Sequence, residues 1–320
     1  MWKYIQKRLA SALLAVFIVL TLNFVIISIA PGNPIKTLMG KDADNPTLRA
    51  ALEKKYGLDQ PLMVRYFKYL GNVVRGDLGK SIIYNESVAK MILSKVGPTV
   101  LLVLTASTFS LLIGTALGIL AARKEGGVVD GVISGINYIL NSLPSFWLGL
   151  MLIIVFATRL KWFPTYGMVN ARADLKGWAY IVDVLQHLFL PLLTLVLIEL
   201  PIYFRIAKSS VLQVTEEDFV TTFRAAGMDE RKLFRKYIFK NAILPTITIF
   251  GISLAYLITG VALIEIVFAW PGTGRLVLNA INQRDYPVIM GMYLITSVSI
   301  ALMMLFIDIL YAVVDPRIRY

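Results

Sequence analysis

A chemical site needs a nucleophile with a base, a set of metal ligands or a cradle for phosphate, and this chain is poor in all three. It has one histidine, His187, and no cysteine. That leaves no thiolate, disulfide or cysteine-type zinc site and little to build a triad from. His187 stands beside Pro191 where an apolar run begins; as a ligand for a metal cargo it would act alone, and one interfacial hydrogen bond accounts for it more simply. No G-x-x-x-x-G-K-[ST] occurs, so nucleotide phosphates have no glycine-rich loop to rest in. What the residue pattern does supply is an element built to touch something in the aqueous phase. Thr215 to Pro245 (TEEDFVTTFRAAGMDERKLFRKYIFKNAILP) is a long polar stretch between two apolar runs, punctuated as helix, corner and helix.

Thr215 with Asp218 three residues on reads as a capping box, and Glu216, Glu217 and Asp218 put carboxylates at the positive end of a helix dipole. Phe219, Phe223 and Ala226 recur at spacings of four and three and form one apolar stripe, while Thr221, Thr222 and Arg224 face elsewhere. Gly227 is the expected C-cap, where a positive φ costs least. Asp229 then caps a second helix in which Arg231, Lys232, Arg235, Lys236 and Lys240 alternate with the pairs Leu233/Tyr237 and Phe234/Ile238. A basic amphipathic helix of this kind lies against anionic headgroups.

The elements that must hold this hairpin are membrane spans. Hydrophobic residues make up 57% of the chain and mean hydropathy is +0.70, above the ~45–50% apolar share of soluble domains. The net charge of +12 is the positive-inside signature and not a nucleic-acid footprint, since no nucleic-acid-binding module is present. The run 9–30 follows Lys3, Lys7 and Arg8 and is too long for a signal-peptide core; it reads as a retained span with the N-terminus in the cytoplasm. Residues 31–95 form an outer region with two short helices, one capped by Asn45-Pro46 and ended by Gly57, the other over 62–74. Further spans are expected over 96–122, 131–158, 184–204, 243–268 and 287–314.

Six spans with both termini inside satisfy the short-loop charges. The expected fold is therefore all-α and polytopic, with residues 1–95 as the first span plus outer region and 96–320 as a five-span core. Trp162, Tyr166, Trp178 and Tyr180 are interfacial aromatics of an outer loop, and 270–287 holds a surface helix with Leu276, Val277, Ala280 and Ile281 facing down. Pro98, Pro144, Pro191 and Pro201 kink or interrupt spans, and Asn23, Asn137, Asn141 and Ser142 need protein or a wet path to face. Charges inside spans mark function or pairing. Glu199 and Arg205 toward the inner end of the fourth span and Asp308 toward the inner end of the sixth could pair near a gate, and snorkelling at span ends accounts equally well for Arg205, Asp308 and Glu265, though not for Glu199.

FRAAGMDERKLFRKYIFKNAILP closely resembles the EAA-type loop of ATP-binding-cassette (ABC) importer permeases, in the form found in dipeptide, oligopeptide and nickel permeases. PGNPI at 31–35, YGLDQPL at 56–62, RGDLGKS at 75–81, VFAWPGTGRLVLNAINQRDYPV at 267–288 and DPRI at 315–318 resemble the same family in order, from end to end. The resemblance implies a type I-like importer permease in the cytoplasmic membrane of a prokaryote, with a coupling loop over 207–242. It implies ATPase coupling by Glu217, Asp218, Phe219, Thr222, Phe223, Arg224, Ala225, Ala226, Gly227 and Met228, with the two phenylalanines as apolar knobs. It also implies a homologous second permease, two cytoplasmic ATP-binding subunits that carry ATP and magnesium, and an extracytoplasmic solute-binding protein; no cofactor belongs to this chain. Thr221 and Thr222 stand where the general motif has Glu-Ala, and Gly227 is far from Pro245, both in the manner of the peptide and nickel branch. Peptides are the expected cargo, with nickel complexes or oligosaccharides as alternatives. A self-contained secondary transporter would show paired intramembrane charges and an inverted repeat, and a membrane hydrolase would need a nucleophile and base; neither pattern is evident.

Overall fold

The computed structural model describes residues 2–29, 35, 39, 45–255 and 261–314, side chains excepted at 2–5, 7, 55, 255 and 306–314. Most of PGNPI and all of DPRI lie outside the described residues. In chain order the helices are α1 (Trp2–Ile29), α2 (Pro46–Lys55), α3 (Leu62–Val74), α4 (Val88–Arg123), α5 (Val128–Ser142) and α6 (Ser145–Leu152), the last prolonged by a π-helix, Ile153–Arg159. They continue as α7 (Trp178–Thr215), α8 (Asp218–Ala225), α9 (Glu230–Leu233), a π-turn (Phe234–Ile238), α10 (Phe239–Ala242), α11 (Leu244–Ala255), α12 (Ala262–Val267), α13 (Thr273–Gln283) and α14 (Tyr286–Val314). Among the described residues there is no strand. The fold is all-α, and five helices are long and apolar enough to cross a membrane, or six if the bent pair α5–α6 counts as one span.

The chain divides into two compact units, one of residues 1–99, 258–262 and 271–320, the other of 100–257 and 263–270. In the first, α1 packs along α14. Its core joins Val88 and Ile92 of α4, Leu276 and Ala280 of α13, and Val288, Ile289 and Met292 of α14. The Asp285 carboxylate, 1% exposed, accepts hydrogen bonds from the Ser81 hydroxyl and, at 3.1 Å, from the Ile82 amide, which pins the loop before α4 to the loop before α14. Asn45 caps α2 through Thr47 and Leu48, both at 3.2 Å, and Gly57 follows with φ +65°. On α13, Leu276 and Ala280 are buried, but Ile281 is 42% exposed and does not belong to the inner face.

In the second unit α7 is the central helix: Tyr203, Phe204, Ala207, Ser210 and Val211 are all buried. α4 approaches it closely because Gly114 and Gly118 carry no side chain. A Cβ at Gly114 would stand 2.7 Å from Tyr203 Cβ, and one at Gly118 would stand 2.6 Å from the Phe204 carbonyl oxygen. Small residues four apart permit such backbone contact between apolar helices, where dispersion replaces the hydrophobic drive that lipid removes.

Three expected spans are redrawn. The run 131–158 is not one straight span: α5 and α6 meet at 102°. Pro144 has no amide to donate and disfavours the helical region for the residue before it, and Leu143 is extended at φ −80°, ψ 132°. Pro191 and Pro201, in contrast, lie within α7 without ending it. That helix runs on to Thr215, well beyond the expected end at Phe204. The expected fifth span, 243–268, falls on α11 and α12, with 256–260 outside the described residues, and the long apolar helix there is Glu230–Leu254.

Candidate coupling site

The hairpin of α8 and α9 is set by three local devices. α8 begins at Asp218 and not at Thr215, whose hydroxyl donates to the Val211 carbonyl at 2.7 Å in the last turn of α7. The capping box therefore does not form: burial of Val211 carries α7 through the capping signal. Glu217 occupies the N-cap without a side-chain bond, and Asp218 alone is acidic in the first turn. At the far end Gly227 has φ +75°; its amide donates to the Arg224 carbonyl and the Met228 amide to the Phe223 carbonyl, both at 3.0 Å. This is the paired closure of a Schellman motif, and Met228 and Phe223 both pack against the same buried cluster. Asp229 then accepts from the Arg231 and Lys232 amides at 3.0 Å each and starts α9 as expected.

Packing gives α8 an inner and an outer face. Val220 is fully buried in a cluster with Val211, Leu233, Ile238 and Ala242, against which Phe219 and Phe223 pack half-buried. The Phe223 ring lies 4.5 Å from that of Tyr237, and the Phe219 ring meets it edge-on at 6.3 Å. The phenylalanines thus face the chain's own core and are not outward knobs. Asp218, Thr221, Thr222, Arg224, Ala225 and Ala226 are exposed, beside Glu217 and Gly227. Arg224 Nε donates to Glu230 Oε1 at 2.7 Å and braces the corner from its open side.

The second helix is not the uniform amphipathic helix that the i,i+4 pairs predict. Its π-turn adds one residue, so the fully buried positions are Leu233, Ile238 and Ala242, five and then four apart. Tyr237 is shifted to meet Phe223, and the Arg123 guanidinium sits 4.9 Å over the Phe234 ring.

A half-buried ion pair missing from the sequence reading ties the root of this hairpin to the start of α5. Lys208 of α7 donates to Asp130 and, at 3.3 Å, to Ser134; Asp130 also accepts from Ser134 at 3.0 Å and from the Gly126 amide at 3.2 Å. The side chains are 22% and 11% exposed. The signal available in sequence was an aspartate just after the Gly126-Gly127 corner and a lysine one helical turn beyond Phe204.

The expected gate charges are not brought together among the described residues. Glu199 accepts a hydrogen bond from Ser107 of α4 at 3.0 Å, Arg205 is exposed and in no ion pair, and the side chain of Asp308 lies outside the described residues. Glu265 is fully buried and therefore does not snorkel. His187 is buried, with Nδ1 2.8 Å from the Asp183 carbonyl, and no cluster among the described residues could hold a metal.

Long apolar spans around a polar helical hairpin define a multi-pass membrane component with a surface for a partner. The chain belongs to the family of inner-membrane components of binding-protein-dependent transport systems, whose model matches residues 114–320; the N-terminal model for such membrane components matches 1–105. It is 37% identical over 318 residues to the oligopeptide transport system permease AppB of Bacillus subtilis, covering 99% of each chain. It is 33% identical to the di/tripeptide permease DppB of Pseudomonas aeruginosa (100% of this chain, 99% of the relative) and 36% identical to the glutathione permease GsiC of Escherichia coli K12 (100% of both). The fold is similar to a chain of the MetNI methionine ABC transporter solved in inward-facing form, with TM-score 0.53 and 16% identity, covering 71% of this chain and 97% of that one.

Proposed function

We propose that this chain is the permease subunit of an ATP-driven importer and forms half of a translocation path for short peptides. The observation that carries this reading is end-to-end similarity to permeases named for oligopeptides, dipeptides and glutathione, at 33–37% identity with no large segment unmatched. The chain has no phosphate-binding loop of its own, so the energy enters through contact. Closure of two ATP-binding subunits presses on the exposed face of α8, the Schellman corner passes the displacement to α9, and α7 carries it into the spans. A homologous second permease completes the path, a solute-binding protein delivers peptide from outside, and both termini of this chain are cytoplasmic. Cofactor chemistry stays on the ATP-binding subunits.

The test is reconstitution. Vesicles holding both permeases and the ATP-binding subunits should accumulate labelled dipeptide only with ATP on the ATP-binding side and binding protein on the other. Vesicles holding this chain alone should accumulate none. Peptide flux through the lone chain, without nucleotide, would point to a secondary transporter and refute the reading.

A further inference from the structure

α3 has three faces, and among the described residues one of them packs directly against an aromatic side chain of α1. Tyr66 and Tyr69 meet Phe24 of α1, with ring centroids 5.2 and 5.8 Å away. A second face bears Met63, Phe67 and Val74, exposed by 67, 67 and 88%. The third bears Arg65, Lys68 and Asn72, which line a cavity of about 480 Å³. Its floor is apolar, with Phe24, Ile27, Leu78, Met290 and Leu294, and Lys54 joins Arg65 and Lys68 among its cations against one carboxylate, Asp77.

These polar groups are unevenly served. Asp77 accepts from the Gly79 amide at 2.9 Å and Lys68 donates to Gln60 at 2.8 Å, yet none of the three cations is in an ion pair among the described residues. Tyr66 shares a hydrogen bond of 2.8 Å with Thr21, whereas the buried Tyr69 hydroxyl on the cavity wall has no partner among the described residues. Burial, and then the neighbouring Tyr66, push that phenol up to about 12, so it stays a donor at any physiological pH. The cavity lies where α1 ends and α14 begins, and a bilayer spanned by these two apolar helices would place its headgroups there.

We propose that this cavity holds an anionic phospholipid, its phosphate between Arg65 and Lys68 and within reach of the Tyr69 hydroxyl, an acyl chain along the Phe24, Ile27 and Met290 floor. The Met63, Phe67 and Val74 strip lies in the acyl boundary beside it, so α3 is an in-plane interfacial helix stapled by a lipid. A free anion would have no use for the apolar floor or the strip.

The chain in its assembled complex is stripped of lipid in detergent, exposed to micelles with equal phosphatidylglycerol and phosphatidylcholine, washed and read by native mass spectrometry. The proposal expects phosphatidylglycerol to be retained over phosphatidylcholine by about thirtyfold, from two cations each contributing on the order of 1 kcal/mol near an anionic surface. The double variant R65E/K68E should lose this preference. Tyr69→Phe keeps the ring against Phe24 and should lower retention severalfold with an unchanged melting curve; if the double variant fails to fold, this variant decides. Equal retention by wild type and either variant overturns the proposal. So does release of the lipid by inorganic phosphate at matching concentration, which would make the site one for a free anion. The readout is independent of transport, so its failure leaves the importer reading untouched.

Discussion

At Gly227 the corner between α8 and α9 rests on a single backbone angle. No atom lies within 4 Å of where a Cβ would stand, so the constraint is φ +75° and not space. A left-handed conformation costs an L-residue roughly 1–2 kcal/mol, and a β-branched residue more. Gly227→Val is expected to open the Schellman closure and lower ATP-driven uptake while the subunit still inserts, with Gly227→Asn, which tolerates the left-handed region, close to wild type. Uptake assays on membranes with matched subunit levels check this, and equal activity of the two variants would refute it. Lys208 and Asp130 make a second residue-scale case. Removing one partner strands a buried charge, so Lys208→Met should depress the melting temperature more than the neutral double variant Lys208→Met/Asp130→Asn. A double-mutant cycle with no coupling would remove the pair as the hairpin's tie.

Among the elements, α8 works as a plate with a glued side and a free side. Phe219 and Phe223 belong to the glued side, so replacing them with aspartate should unfold the hairpin locally and not merely erase a contact. Helix approach is equally exacting at Gly118, where any side chain collides with the Phe204 carbonyl oxygen at 2.6 Å. Gly118→Val should force α4 from α7 at a cost on the order of 1–3 kcal/mol, seen as a lower melting temperature of the purified subunit. The features legible in sequence were local ones: Asn45-Pro46, Gly227 and Asp229 each satisfy or end a helix within four residues, and those signals held. Features decided by tertiary burial were not legible. Thr215 and Asp218 spell a capping box, but packing of Val211 extends α7 through it. The π-turn exists because Leu233 and Ile238 must both face the core, which no i,i+4 pattern announces. Lys208 and Asp130 are 78 residues apart in the chain. The broken span at Pro144 and the unbroken helix at Pro201 carry the same residue type in similar apolar surroundings, and only their packing separates them.

For the molecule as a whole, the proposed function makes the chain a body driven from its surface. Its apolar exterior is large: α1 exposes Leu13 by 62% and Ile26 by 65%, as a lipid-facing helix should. Its chemistry is sparse, and its polar effort is concentrated on joints, at Asp285, at Asp130 with Lys208, and at the hairpin corner. The central claim is that force from a foreign ATPase arrives on the outer face of α8. Because the natural chain has no cysteine, Thr222→Cys and, separately, Phe223→Cys give single thiols on the free and the glued side of that helix. In the assembled importer, Thr222→Cys should cross-link to an ATP-binding subunit with a yield that changes when ATP is bound, and Phe223→Cys should do so weakly. A Thr222→Cys thiol that reaches no ATP-binding subunit, or that is labelled by an impermeant reagent from outside the cell, would contradict the account.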